Sequence, residues 1–160
     1  MHPNAEVISR LYSSFQKRDA AGMAGCYHAG AFFEDPVFGR MPGWRAKAMW
    51  RMFCEGDSDL RLEVSGVSAD TSAGAAHWDA TYTFPATRRK VINRIDATFR
   101  FKDGLIVDHK DSFDLWKWSS MALGQRGTFL GWLPPVQNAI RTQANRRLDN
   151  FIKEKGITST

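Results

Sequence analysis

Three groups in this chain carry acid–base potential in settings that ordinary surface residues lack: Asp35 in FFEDPVFG (32–39), and His109 and Asp111 in HKDSFDLW (109–116). A carboxyl or imidazole moves a proton in a reaction only if it is held within hydrogen-bond reach of the reacting atom. The local sequence supplies that restraint. Pro36 biases Asp35 toward extended geometry and offers no N–H to a sheet ladder, so the stretch reads as a strand ending at Asp35, at a sheet edge or rim. There Asp35 is a cap of the DPVFG turn, a solvated charge or a catalytic group. His109 and Asp111 follow from register. Side chains alternate along a strand, so if Val107 and Phe113 face the core, His109 and Asp111 do too. By the same rule Asn93 shares a face with Ile95, Phe99 and Phe101. An unpaired buried polar group costs roughly 2–7 kcal/mol, so this face is either a satisfied internal network or a lined pocket. Taken singly, each residue has a structural reading: His109 as a bonded core histidine, Asp111 as its partner, Asp35 as a cap. Three acid–base groups expected in one concavity shift the weight toward chemistry.

Other chemistries find less support. No serine sits in a G-x-S-x-G elbow, and neither Cys26 nor Cys54 has a catalytic or metal-ligand context. His2, His28, His77 and His109 form no H-x-H or H-x-x-x-H pair, the spacing a zinc site favours. GDSDL (56–60) lacks the rest of a calcium loop, and no glycine-rich phosphate loop is present. Neither a metal nor a nucleotide cofactor is expected.

The elements that must position these groups are readable from periodicity. Val7, Ile8, Leu11, Tyr12 and Phe15 recur at helical spacing, predicting a helix over 4–18 with Asn4 as its cap. Asp19 caps a short second helix through Met23, Cys26 and Tyr27. The strand ending at Asp35 follows, and Pro42-Gly43 opens a helix over about 44–55. Beyond Gly56 the period becomes two: a strand from Leu60, a second with Ala76, Trp78, Ala80, Tyr82 and Phe84 on one face, a third with Asn93 to Phe101, the KDG hairpin turn, and a fourth with Leu105 to Phe113. SSMALGQRGTFLGWLPP (119–135) reads as a packed connector, or as a lid hinged at Gly124, Gly127 and Gly131. Pro134-Pro135 starts a final extended helix to about 155. The order predicts a single α+β domain over 1–160, with helices on one face of a curved, mostly antiparallel sheet.

The 160 residues suffice for one core, and six tryptophans with eleven phenylalanines must be housed in it. No run approaches the length that spans a bilayer, and MHPNAEVISR lacks a leader pattern, so a cytoplasmic protein with free thiols and no membrane partner is expected. The net charge of +5 raises nucleic acid as a partner. Its distribution argues otherwise: Arg88, Arg89 and Lys90 fall in a turn, the rest lies on the last helix with acids nearby, and no recognition motif accompanies them.

KRDAAGMAGCYHAGAFFEDPVFG, the Gly43 helix, FRFKDGLI and HKDSFDLW together resemble the nuclear-transport-factor-2-like (cystatin-like) superfamily, on the branch of ketosteroid isomerases and SnoaL-like polyketide cyclases, over almost the whole chain. The resemblance implies a conical half-barrel wrapped around a hydrophobic pocket, a homodimer, and an apolar small molecule as partner. Asp35 matches the general base of the isomerases. Their oxyanion-hole tyrosine and protonated aspartate do not match, falling at Leu11 (with Tyr12 adjacent) and Ala97 (with Asp96 on the opposite face). The resulting expectation is a cofactor-independent isomerase, cyclase or dehydratase acting on an apolar carbonyl-type substrate. Asp35, His109 and Asp111 are its acid–base groups, and Tyr12, Phe15, Trp50, Trp78, Tyr82, Asn93 and Phe113 its pocket wall. The alternatives are a non-catalytic binder of an apolar metabolite and a structural dimerisation domain.

Overall fold

The computed structural model describes residues 1–159. Six strands, β1 (Tyr27–Asp35), β2 (Gly39–Pro42), β3 (Arg61–Ala69), β4 (Ala73–Phe84), β5 (Arg89–Lys102) and β6 (Leu105–Ser112), form one sheet in the order β2-β1-β6-β5-β4-β3. All neighbours are antiparallel except β1 and β6, which run parallel. The sheet does not close. Three helices, α1 (Pro3–Gln16), α2 (Ala20–Ala24) and α3 (Gly43–Glu55), precede or interrupt the strands, and α4 (Leu115–Leu123), α5 (Gln125–Leu130) and α6 (Pro134–Lys155) follow them.

α1 forms where its apolar stripe is helical in period, and Ile8, Leu11, Tyr12 and Phe15 are each at most 3% exposed. Burying such side chains stabilises by about 1.5–3 kcal/mol apiece. The helix can approach β4 so closely because residue 74 is glycine: a Cβ there would lie 2.8 Å from Ile8 Cδ1 and 3.0 Å from the Ser68 carbonyl. The N-cap differs from expectation. His2 takes that position, its Nδ1 accepting from the Asn4 N–H. Asn4 is buried and donates instead to the carbonyls of Asp70 and Thr71, tying α1 to the β3–β4 turn. Asp19 caps α2 as expected, but α2 ends at Ala24, and Tyr27 opens β1.

The hairpin from β5 to β6 turns on Asp103 and Gly104, both at positive φ, the geometry that matches strand twist. Along β5 the expected face is the inner one: Asn93, Ile95, Ala97 and Phe99 are buried and their neighbours exposed. Along β6 the alternation breaks. Arg100 pairs with Asp108 but Phe101 pairs with Ile106, leaving Val107 as an extra residue in a bulge. Ile106 therefore occupies the core at 0% exposure in place of Val107. His109 and Asp111 still face inward because the bulge lies before them. Further register shifts interrupt β1 between Tyr27 and Phe32 and β3 between Ser65 and Ser68; such bulges increase twist and bend a strand.

Segment 119–135 is helical and packed. A Cβ on Gly127 would lie 1.8 Å from the Ser119 carbonyl oxygen, and one on Gly131 would lie 2.0 Å from Ser119 Oγ. These glycines let α5 and its exit press against α4; they are contact residues rather than hinges. The core has two parts. The larger lies between the sheet and α1–α3, and the smaller gathers Val37, Val91, Leu115, Trp118 and Ala122 beneath α4 and α6. Phe38, Tyr82 and Phe113 pack against both.

Candidate functional site

β6 carries His109 and Asp111 into the larger core, where they are 0% and 3% exposed. Their charge and polarity are met by a continuous hydrogen-bonded chain. Trp50 Nε1–H, from α3, donates to Tyr27 Oη at 3.0 Å; Tyr27 Oη lies 2.8 Å from His109 Nδ1; His109 Nε2 lies 2.9 Å from Asp111 Oδ1. One proton assignment gives every donor an acceptor: Tyr27 O–H to Nδ1, and Nε2–H to the Asp111 carboxylate. That arrangement is a neutral imidazole held in one tautomer by its neighbours. Rings fix it sterically as well. His109 stacks on Tyr27 and Trp50 with centroids 6.1 Å away in each case, meets Phe33 edge-on at 4.9 Å, and lies 4.4 Å from Phe99. Burial, and after it the nearby Asp111 charge, raises the pKa of the Tyr27 phenol, so the phenol keeps its proton for Nδ1.

Next to this chain stand two polar atoms without partners. Tyr12 Oη and Trp78 Nε1 are fully buried and unbonded, and their rings lie 5.6 Å apart. Burial first and the Asp111 charge second raise the Tyr12 pKa, which puts its hydroxyl within the electrostatic field of that carboxylate. Leaving a buried donor unsatisfied costs about 1–3 kcal/mol, and both of these donors are left so. Phe15 completes this aromatic wall, edge-on to Trp50 at 5.3 Å and to Trp78 at 5.9 Å.

Asp35 sits where β1 ends. It shares the inward face of Ala31 and Phe33, and pairs across the turn with Gly39. Its Oδ1 accepts from the N–H groups of Val37 at 2.9 Å and Phe38 at 2.6 Å, so the cap reading of the turn is correct. The carboxyl is nonetheless pushed up to about 7, mainly by burial and further by the Asp111 charge, against the pull of those two N–H donors. A plain cap in water would be driven down instead. Tyr82 lies within reach of the Asp35 charge, and its hydroxyl accepts from Trp118 Nε1–H at 2.6 Å.

Of the expected pocket residues, Trp50 stacks on His109 and Tyr12 feels the Asp111 charge, while Phe15 and Trp78 pack against those two rings. Tyr82 and Phe113 lie at the seam between the two core parts, with Tyr82 within reach of the Asp35 charge. Asn93 lies apart, under α4, lining a depression of about 250 Å³ with Ile92, Arg94, Asp114, Lys117 and Met121. Ala97 pairs directly with Asp111, whereas Asp96 points outward to His77 Nδ1 at 2.8 Å. Tyr27 escaped the sequence reading. Assigned to the end of a helix, it had no face, although a Tyr at the head of the FFEDP strand could have been counted in register with Phe33. Among the described residues, no group of three or more His, Cys, Asp or Glu side chains is placed to hold a metal ion. Both cysteines are free and buried.

The profile of the SnoaL-like domain matches residues 8–109. The chain belongs to the SnoaL-like family. Solved structures agree on the fold. An LEH-like epoxide hydrolase of M. tuberculosis superposes with a TM-score of 0.64 at 18% identity, over 82% of this chain and 96% of that one. A provisionally named polyketide cyclase of Silicibacter sp. TM1040 gives 0.62 at 18%, over 74% and 94%. TerC, co-crystallised with polyporic acid, gives 0.62 at 16%, over 75% and 98%. No curated protein sequence matches the chain. At these identities the structural likeness establishes the nuclear-transport-factor-2-like fold alone, and the α4–α6 extension after residue 114 lies outside the matched profile.

Proposed function

We propose that this SnoaL-like protein is a cofactor-independent isomerase, cyclase or dehydratase that moves protons on an apolar, oxygen-bearing substrate. The observation that carries the reading is the pair of buried, unpartnered donors, Tyr12 Oη and Trp78 Nε1, beside a carboxylate already oriented by His109. In this reading a substrate carbonyl or hydroxyl oxygen accepts from Tyr12 and Trp78. Hydrogen bonds preorganised in a dry site stabilise charge developing on that oxygen far better than water does. Asp111, with Oδ1 engaged by His109, uses its other oxygen as the general base. His109 has both nitrogens occupied, so it serves as a positioning residue: it holds Asp111 and carries the field of the Trp50–Tyr27 chain to it. Asp35, titrating near neutral pH, returns the proton at the seam. Two carboxyls in different environments are the usual way one site supplies both an acid and a base.

The names of the structural neighbours suit this chemistry, since cyclisation and epoxide opening both need a proton moved at an apolar substrate's oxygen or adjacent carbon. A second reading is a binder that holds an apolar metabolite unchanged. It is favoured by the same full engagement of His109, which leaves that imidazole no direct contact with a ligand.

The test is a screen of enones, epoxides and hydroxylated aromatics, followed by Asp111→Asn and Tyr12→Phe on any compound that is converted. Loss of kcat by about 100-fold or more with Asp111→Asn fits a general base, and unchanged kcat in that variant overturns the assignment. A compound that binds and is recovered unaltered after long incubation selects the binding reading.

A further inference from the structure

The corner built by α4, α5 and the β4–β5 turn has a surface that neither the fold nor the proposed chemistry uses. Trp116 (47% exposed), Phe129 (70%), Leu130 (46%) and Trp132 (55%) stand open to solvent there. They are contiguous: Trp116 Nε1–H donates to the Thr128 carbonyl at 3.0 Å, and Trp132 Nε1–H folds back to the Phe129 carbonyl at 3.1 Å. Large exposed apolar clusters are uncommon on isolated soluble chains and mark interaction surfaces. The two indole N–H groups are already bonded, so transferring these rings out of water would strand no polar donor.

Basic residues outnumber acids along the adjoining chain, with Asp114, the exposed N-cap of α4, as the acid next to it. From Leu115 to Leu148 the chain has Lys117, Arg126, Arg141, Arg146 and Arg147 and no acidic residue. The β4–β5 turn and the start of β5 add Arg88, Arg89 and Lys90, and they are fastened to this corner by Arg89 Nε–H donating to the Met121 carbonyl at 2.8 Å and by the Thr87 hydroxyl donating to the Ala122 carbonyl. Arg126 lies on the same face of α5 as Phe129 and Leu130, by its i, i+3 and i+4 spacing.

We propose that this corner docks on an anionic lipid surface. Tryptophans, a phenylalanine and a leucine flanked by Lys117, Arg126 and the basic residues at the start of β5 are the composition of an element that lies in the interface of a bilayer. A second copy of the chain is disfavoured as occupant, because joining two such corners would bring like charges together. Among the described residues no helix is long and apolar enough to cross a membrane, and docking needs none; the sequence expectation of no membrane partner rested on spanning length and on the lack of a leader pattern.

Flotation with vesicles of phosphatidylcholine, alone or mixed with phosphatidylglycerol, tests the proposal on the intact chain. The protein should float with the mixed vesicles, release as salt is raised, and bind neutral vesicles far more weakly. Phe129→Ser alone, and Phe129→Ser with Trp132→Ser, should lower partitioning by about tenfold or more while leaving thermal unfolding unchanged, because both side chains are exposed. Neutralising Arg88, Lys90, Lys117 and Arg126 to Gln should lower it by about fivefold per charge. The proposal is overturned by failure to float with mixed vesicles, or by flotation that survives Phe129→Ser/Trp132→Ser. It is also overturned if light scattering shows a dimer that those substitutions dissociate, which would assign the corner to a second copy.

Discussion

Replacing Asp35 with asparagine separates its role as a turn cap from its role as a titrating group. The amide keeps an oxygen for the Val37 and Phe38 N–H groups but cannot ionise. In the folded wild type the carboxyl titrates at about 7, against its usual 3.8 in an exposed chain. A raised pKa means the native state holds the proton more tightly than the unfolded state. The contribution to stability is thus fully present below pH 3.8 and declines as pH rises, until it levels off just above 7. At about 1.4 kcal/mol per pH unit, the mismatch between the folded and unfolded pKa of Asp35 lowers wild-type stability, relative to its acid limit, by about 4 kcal/mol at pH 8 and about 2 kcal/mol at pH 5, where the unfolded chain has ionised and the fold still holds the proton. Asp35→Asn escapes that cost. Its stability relative to wild type should rise by about 2–3 kcal/mol between pH 5 and pH 8, and this difference cancels any fixed effect of the amide itself. Urea unfolding followed by tryptophan fluorescence at the two pH values measures it. A difference that is flat with pH, or that moves against the variant as pH rises, would show that Asp35 is an ordinary charged cap and would remove it from the proton-transfer scheme.

The remaining predictions concern the buried chain and the packed extension. Tyr27→Phe leaves Trp50 Nε1 and His109 Nδ1 without their shared partner, and should cost about 1–3 kcal/mol in urea unfolding. Tyr12→Phe should do the reverse: deleting a hydroxyl that has no partner should leave stability equal or raise it by about 1 kcal/mol, while ligand affinity or turnover falls. Loss of stability on that change would mean the hydroxyl is already satisfied. Gly127→Ala forces a Cβ into the Ser119 carbonyl and should lower stability by about 1–3 kcal/mol, measured as a drop in thermal midpoint; an unchanged midpoint would mean α5 is free to lift from α4.

Much of the site was legible because it depends on period and on proline. Alternation alone turns Asn93, Ile95, Ala97 and Phe99 to one face, and Pro36 ends the strand at Asp35. The failures share a different cause. Val107 was expected in the core and Ile106 outside it, because a bulge inserts one residue and reverses alternation on its far side, and nothing in LIVDHKD announces that insertion. Asn4 looked like the cap of α1, yet His2 does that work, since the competing partners for Asn4 are carbonyls more than 60 residues away.

The sequence by itself determined the order and type of most elements, though not β2, α4 or α5, together with the inward face of β5, the direction of His109 and Asp111, and the restraint on Asp35. These are local properties, set by side-chain period, by the backbone of proline and glycine, and by charge. Only the tertiary structure decided that Tyr27 and Trp50 complete the His109–Asp111 chain, that Tyr12 and Trp78 are left with unused donors, and that Asp35 is buried enough to titrate near neutrality. Each of those depends on which groups from α1, α3, β1, β4 and β6 meet in one low-dielectric volume. Distance and desolvation between distant segments set the outcome there, and neither has a signature at any single position of the chain.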